Sequence, residues 1–483
     1  MKLENRKWTE DEFFEMRKNV LRQWRTGEEL EDISEGMEYC KRLLSTKNVY
    51  LRLMRAKELG VIQLLPQVGH GTLEYTLEHI QFVEPTKPDI WQLYSDAYTR
   101  KNKYDQAQIG IERCNEEGFS VLSGYPIVNY GVRGTRRVVE STDAGFFYNA
   151  SDADARLAVE IALASGITFW CEHAIQEQFQ HAKDFPMDKR IQYSQYTSRL
   201  GAYYEEHGVP IIIADPVNLS GWDHPAFKVT LQILQGLIAI EQGIKHIWLS
   251  IGLSMCLIQD VAAIQAGLKL LKEYAGRFGH HEIDIHSRLF PWLGVWPMDP
   301  GQAAAMVAWN ATIGVMGGFD AMIVKSINEA SATPTKEGNL EAMKICRQLI
   351  NVMGKHRLPD NAELNLEKEM IEKEARACVD RTIEMGGGDV AVGIIRAIDA
   401  GVLDTIYSPW VPVKKNVLVV RDSHDAIRYL KHGNLPLPRD VIEYNREKIA
   451  EREKKEGIKA DVGMVIADTI FSGRHYSELI PKY

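Results

Sequence analysis

His173, Glu177 and His181 fall at four-residue steps, a spacing that on one helix aligns an imidazole, a carboxylate and a second imidazole as potential metal ligands. A solvated polar helix face has the same pattern. With no fourth ligand in view, that plainer reading is preferred and no metal is expected. Asp284 and His286 alternate as on a strand, so their side chains share one side. Inward polar groups must be satisfied, so a buried hydrogen-bonded pair is expected there rather than a ligand pair. Cys171 stands beside Glu172, a carboxylate that would raise a thiol pKa, which argues against an activated cysteine. Neither GxxxxGKS/T nor GxSxG occurs, so phosphoryl transfer on a phosphate loop and hydrolase-type acyl transfer have no support.

The chain that must position these groups has 483 residues, 45% of them apolar, enough for one large core with appendages or for two domains. A net charge of -9 disfavours nucleic acid and anionic membrane as partners, because both require a basic field. A small molecule is the expected ligand. The six cysteines are scattered without a CxxC pair, which fits a reducing cytoplasm rather than a disulfide framework. The N-terminal residues lack an apolar signal core, and no stretch has the roughly 18 apolar residues that span a bilayer.

Residues 1–58 are charged and helix-prone, with Thr9 and Glu12 at capping-box spacing, and are expected to form a peripheral helical arm. Beyond them come eight short apolar or β-branched runs: Val61–Leu65, Val121–Gly124, Phe146–Asn149, Ile167–Trp170, Pro210–Asp215, His246–Ile251, Glu282–His286 and Ala321–Lys325. Segments of helical character follow them. Leu340, Met343, Cys346, Ile350 and Met353, for example, recur at three- and four-residue steps. The pattern predicts an α/β fold, an eight-fold β/α barrel of the TIM type over 59–354, with an open doubly wound sheet as the alternative. Residues 355–483 are expected to form a C-terminal α+β domain. A barrel carries its site where the strands end, which would gather Gln67, Asn149, Cys171, Asp215, Gly252, His286 and Lys325 around one mouth.

The strings DAYTRKNKYD from Asp96 and VNYGVRGTRRV from Val128 resemble the epsilon subunit family of glutamate mutase, also called methylaspartate mutase. Similarity continues through IQDVAA from Ile258, IVKSINEASATPTKEGN from Ile323 and GDVAVGIIRAIDAGVLD from Gly388, and so covers essentially the whole chain. The resemblance implies an adenosylcobalamin-dependent isomerase that rearranges a carbon skeleton by radical chemistry. It also implies a dimer of this subunit and a small cobalamin-binding subunit carrying an Asp-x-His-x-x-Gly motif. The nearest strings here, Asp284-Ile-His286 and Asp422-Ser-His424, lack the glycine, so the cobalamin-carrying part is expected on a partner. By the same resemblance, Lys325 and Glu329 contact the adenosyl ribose, and Gly69, Ser123, Gly294 and Trp296 complete the cofactor-binding set.

The substrate shell departs from the family pattern. Of three arginines that hold a dicarboxylate there, Arg100 is retained, while Gln67 and Asn149 occupy the other two positions. The family's glutamate for the substrate amine falls at Cys171, next to Glu172, and its two tyrosines at Glu177 and His181. Arg100, Glu172, Glu177 and His181 are therefore the expected catalytic residues, and Gln67, Arg100, Asn149, Cys171, Glu177 and His181 the substrate-binding ones. Each lost charge-assisted contact is worth roughly 1.5–3 kcal/mol, so a substrate other than glutamate is expected. Two alternatives remain: glutamate mutase proper with a redistributed anion site, and a barrel that only binds or scaffolds.

Overall fold

The structure, a computed structural model, describes residues 3–150, 154–171, 175–180, 183–217, 221–331 and 333–479. Eight parallel strands close into a barrel in sequence order: β1 Gln63–Val68, β2 Ile90–Tyr94, β3 Gly145–Asn149, β4 Phe169–Cys171, β5 Ile212–Val217, β6 His246–Gly252, β7 Asp284–Phe290 and β8 Ala321–Val324. Closure is made by β1 against β8, with Gln63 opposite Ala321 and Pro66 opposite Val324. Leu65, Ile90, Phe147, Phe169, Ile212, Ala214, Trp248, Ala321 and Ile323 fill the interior, and the alternate residues pack outward against the helices. This is the expected closed barrel, not the open sheet.

One strand differs from the expectation. Val121–Gly124 is a loop, and the slot between β1 and β3 belongs to Ile90–Tyr94. The loop only touches the sheet, through a parallel bridge between Ser95 and Tyr125. The Val121-Leu122 pair, within a short stretch bounded by Gly118 and Gly124, resembled a strand, whereas the inward Gln92, fully buried, disguised the real one.

The N-terminal helices are packed in, not peripheral. Thr9 caps Glu10–Leu21 as expected: its Oγ1 accepts from the Glu12 amide at 3.2 Å while Glu12 Oε2 accepts from the Thr9 amide at 3.0 Å. Phe13 and Val20 of that helix are wholly buried, and Arg17 reaches Glu160 at 3.0 Å. The helix Val49–Glu58 sends Val49 and Leu53 into the cluster that fills the barrel, and so closes its N-terminal end. Lys336–Met353 buries Met343 and Cys346 on the predicted face.

The C-terminal region is mixed: helices Ala362–Met385 and Val390–Ala400, the antiparallel hairpin β9 Val417–Arg421 and β10 Ile427–His432, then helices Arg439–Glu456 and Val462–Thr469. Ala362–Met385 lies along the barrel's outer helices, where Lys269 pairs with Glu372 at 2.5 Å, Arg277 with Asp380 at 2.9 Å and His224 with Glu374 at 3.0 Å. No helix among the described residues is long and apolar enough to cross a membrane.

Candidate active site

At the C-terminal ends of β1, β2 and β8 lies a cavity of about 180 Å³, the place where a barrel's loops converge. Lys325 follows directly on β8, and the turn after it brings Glu329 back so that Lys325 Nζ meets Glu329 Oε1 at 2.5 Å. Both line the cavity. Burial works against the Lys325 charge, but Glu329 and then Tyr94 outweigh it and hold the ammonium above its ordinary pKa. Lys325 is 7% exposed and the Glu329 side chain 21%, so the carboxylate forms the wetter half of the pair. An ammonium and a carboxylate side by side at a rim suit a neutral ligand with adjacent hydroxyls, which can accept from one and donate to the other.

At the end of the adjoining strand Gly69 follows β1 at φ +151, in a space that admits no side chain: a Cβ there would lie 2.8 Å from the Tyr94 carbonyl oxygen and 3.1 Å from the Tyr125 amide nitrogen. Those two atoms are hydrogen bonded at 2.7 Å, which ties the loop carrying Ser123 to the end of β2. Ser123 is exposed at the cavity and its Oγ accepts from the Ala97 amide at 3.1 Å. Arg100 sits on a single 3-10 turn, Thr99–Lys101, organised by buried Asp96, which takes the Tyr98 amide at 2.8 Å on its side chain and the Arg100 amide at 3.0 Å on its carbonyl. The Arg100 side chain lines the cavity, and its Nε has no hydrogen-bond partner among the described residues.

Gln67, on the last turn of β1, also reaches the cavity, but its amide is engaged: Nε2 donates to the Tyr94 hydroxyl and lies 3.5 Å from Gln92 Oε1. Behind it Asn339 Nδ2 donates to the Gln67 carbonyl at 2.5 Å and to His79 Nε2 at 2.8 Å, and His79 Nδ1 faces His70 Nε2 at 2.8 Å. Burial pushes the His79 pKa down to about 3, so this chain of neutral groups holds the end of β1 without adding charge to the site.

The structure thus brings Gln67, Gly69, Arg100, Ser123, Lys325 and Glu329 to one cavity. Asn149 and Cys171 end the neighbouring β3 and β4 and are buried, and Glu177 is buried on the short helix Gln176–Gln180. That helix is tied to Pro225–Glu241 by Gln235, whose Oε1 accepts from the Ile175 amide at 2.9 Å. Gly294 and Trp296 lie in the loop after β7 and do not line this cavity. Gly294 is pressed against the Trp292 indole, and Trp296 Nε1 donates to the Trp292 carbonyl at 3.0 Å. Glu172, His173 and His181 lie outside the described residues.

Two residues expected at the mouth are elsewhere. Asp215 faces outward, bonded through Oδ1 to Gln235 Nε2 at 2.6 Å, because the inward positions of β5 are Ile212 and Ala214. His286 belongs to the opposite end of the barrel, since β7 continues four residues beyond it to Phe290. There it makes the expected hydrogen-bonded pair with Asp284 at 2.8 Å, beside Lys57 at 3.0 Å, but only the imidazole is buried, the Asp284 side chain being 39% exposed. Tyr94 was missed with β2. The alternation in Ile90-Trp-Gln-Leu-Tyr, bounded by Pro88-Asp89, was the signal for it.

A closed parallel barrel with a polar cavity at its C-terminal face has the architecture of a β/α-barrel enzyme. The sequence matches the Methylaspartate mutase E chain (MutE) family over residues 43–480, and the chain belongs to that family. It is 37% identical over 476 residues to the glutamate mutase epsilon subunit of Desulfitobacterium hafniense (strain Y51), covering 98% of each chain. The proteins of that name from Yersinia enterocolitica and Escherichia coli O157:H7 are 35% and 36% identical over 471 residues, covering 97% of each chain. The chain is an enzyme of the isomerase class, a mutase.

Proposed function

We propose that this chain is the catalytic barrel subunit of an adenosylcobalamin-dependent carbon-skeleton mutase, working with a separate cobalamin-carrying subunit on a substrate other than glutamate. The observation that carries the cofactor reading is the cavity lined by both the Lys325–Glu329 pair and the Gly69 backbone at the adjoining ends of β8 and β1. Adjacent ribose hydroxyls fit the ammonium–carboxylate pair, and the Gly69 backbone lines the same cavity. When bound, that coenzyme would supply the radical that takes hydrogen from substrate. The protein's own share is to orient and to exclude water: Lys325 and Glu329 hold the sugar, Arg100 offers a cation from the β2 side, and the apolar side chains of the barrel interior offer no competing polar donors.

A separate cobalamin carrier is supported by the relatives' description as epsilon subunits. It is supported too by the fate of the two nearest Asp-x-His strings. Asp284 and His286 are bonded to each other at the N-terminal end of the barrel, and Asp422 is held by Arg428 at 2.7 Å. The altered substrate is supported by Gln67, whose amide is given to Tyr94, and by the neutral Asn149 at the end of β3. Glutamate itself is the second reading, favoured by the names of the relatives and by the retained Arg100.

The deciding experiment mixes the chain with adenosylcobalamin and a small protein bearing Asp-x-His-x-x-Gly, then adds candidate acids while following the corrinoid absorbance. Lys325→Ala is expected to weaken coenzyme uptake at least about tenfold, the loss of one charge-assisted contact. Undiminished uptake by that variant, or none by the wild type, refutes the cofactor reading. Rapid turnover of glutamate to 3-methylaspartate refutes the altered substrate.

A further inference from the structure

The barrel interior contains a cation that the proposed cofactor contacts do not use. Arg288 sits on β7 two residues beyond His286, and its side chain is completely buried. It points inward: its Cζ lies 4.5 Å from the centre of the Phe147 ring and 5.3 Å from that of Phe169, both residues of the interior cluster. Nε donates to Ser250 Oγ at 2.7 Å. Nη1 and Nη2, the open fork of the guanidinium, have no hydrogen-bond partner among the described residues.

Four other buried arginines have their guanidinium forks met by acceptors. Arg17 is held by Glu160 and the Leu30 carbonyl, Arg199 by Glu206, Arg421 by the Asp425 and Ser254 carbonyls, and Arg428 by Glu367 and Asp422. The aromatic faces beside Arg288 favour a cation but supply no acceptor in line with the fork, and the neighbouring Cys171 thiol is a weak one. Burial drives the guanidinium down to about 10, opposed by Cys171 and Tyr94, which still leaves it charged at neutral pH. A buried guanidinium whose fork meets no strong acceptor opposes folding, so its presence calls for a role in which the charge is met.

We infer that Arg288 is the anchor for a carboxylate of the substrate, taken end-on by Nη1 and Nη2 in the barrel interior. The planar fork matches a carboxylate bidentately, and a single cation balances a monoanion. Phe147 of β3 and Phe169 of β4 flank the guanidinium, and Tyr94 of the neighbouring β2 lines the cavity, so the anchor stands on the β2-to-β4 side of the barrel. The inference rests on the reading of the mouth as the substrate site and deepens it: the acid would enter carboxylate first, past Tyr94.

The test uses the full chain without coenzyme or partner, with sodium formate and sodium propionate as probes against formamide and sodium chloride at equal ionic strength. Calorimetric melting is expected to show the wild type stabilised by the carboxylates, increasingly with their concentration, and not by the controls. Arg288→Met is expected to melt higher than wild type without additive and to bind the carboxylates about ten- to a hundredfold more weakly. Arg288→Lys keeps the charge without the fork and should bind with intermediate affinity. Carboxylate stabilisation that is absent in the wild type, or undiminished in Arg288→Met, overturns the inference. If Arg288→Met does not fold, wild-type affinity retained in Arg288→Lys overturns it, and reduced affinity upholds it. Loss of this inference with corrinoid uptake intact leaves the cofactor reading standing; carboxylate binding without corrinoid uptake removes the cofactor reading alone.

Discussion

Replacing Gly69 by alanine tests whether the wall of the cavity is set by backbone approach. The new Cβ would meet the Tyr94 carbonyl oxygen at 2.8 Å and the Tyr125 nitrogen at 3.1 Å, the two atoms that share a 2.7 Å hydrogen bond. It cannot be admitted without opening that bond, and Tyr125 is wholly buried, so water does not readily replace the lost partner. The positive φ of +151 adds strain of about 1–3 kcal/mol for a residue with a side chain. Breaking the bond costs about 1 kcal/mol more. Together these put Gly69→Ala about 2–4 kcal/mol below wild type, enough to lower the Tm by several degrees. A control separates strain from contact: Gly60 has φ +66 with open space around it, so Gly60→Ala should cost only the roughly 1–2 kcal/mol of the left-handed conformation. Denaturant unfolding followed by tryptophan fluorescence gives both values, and corrinoid absorbance reports coenzyme uptake. Because the broken bond holds the loop bearing Ser123, Gly69→Ala should also lose coenzyme affinity while Gly60→Ala does not. The reasoning fails if the two variants unfold alike and take up coenzyme alike.

Two further outcomes follow from groups outside the site. Burial raises Asp223 from its ordinary 3.8 to about 7, against the hydrogen bond its Oδ1 accepts from Thr405 at 2.5 Å. The folded state therefore holds the proton more tightly than the unfolded state, and wild-type stability should fall as pH rises from about 4 to 7, then level off. Asp223→Asn should abolish most of that slope and be the more stable protein above pH 7, as thermal melts across the range would show. Arg17 joins the N-terminal helix Glu10–Leu21 to Glu160, which is 1% exposed and also bonded to the Tyr196 hydroxyl at 2.5 Å. Arg17→Met strands that carboxylate and should cost about 3–5 kcal/mol, whereas Arg17→Met with Glu160→Gln should recover most of the loss. Thermal melts of both variants, with limited proteolysis of the N-terminal helices, provide the check.

What could be read before the fold was seen divides along physical lines. Strands such as Pro210–Asp215 and His246–Ile251 announced themselves because a parallel strand buried on both faces must be apolar throughout. β2 did not, since Gln92 points into the barrel at 0% exposure and interrupts the apolar run, while Val121–Gly124 imitated a strand without a slot to fill. Thr9 with Glu12, a contact three residues long, was legible; the burial of Phe13 against Tyr196, their rings 5.3 Å apart, was not, because it depends on a partner far away in the chain.

The same division runs through the site and explains which half of it was found. Lys325 and Glu329 meet across one turn and Arg100 is placed by Asp96 four residues before it, so these, like Gly69, lie in short strings whose likeness to the family, rather than their spacing, marks them. Tyr94 and Arg288 are different in kind. Each is a polar residue turned inward by strand alternation, and each acquires its setting from other strands: Gln67 for Tyr94, Ser250 and Phe147 for Arg288. Reading outward from His286 with a period of two would have pointed to Arg288, but only after the strand was known to run on to Phe290. A charged residue inside a barrel violates the pattern by which barrels are recognised, and such violations concentrate where function requires them. The wall that would meet the nucleoside is therefore written in local strings, and the floor that would meet the substrate is written only in the closed barrel. A relative that binds a different acid can then change the floor one inward residue at a time, while the wall and the eight strands stay as they are.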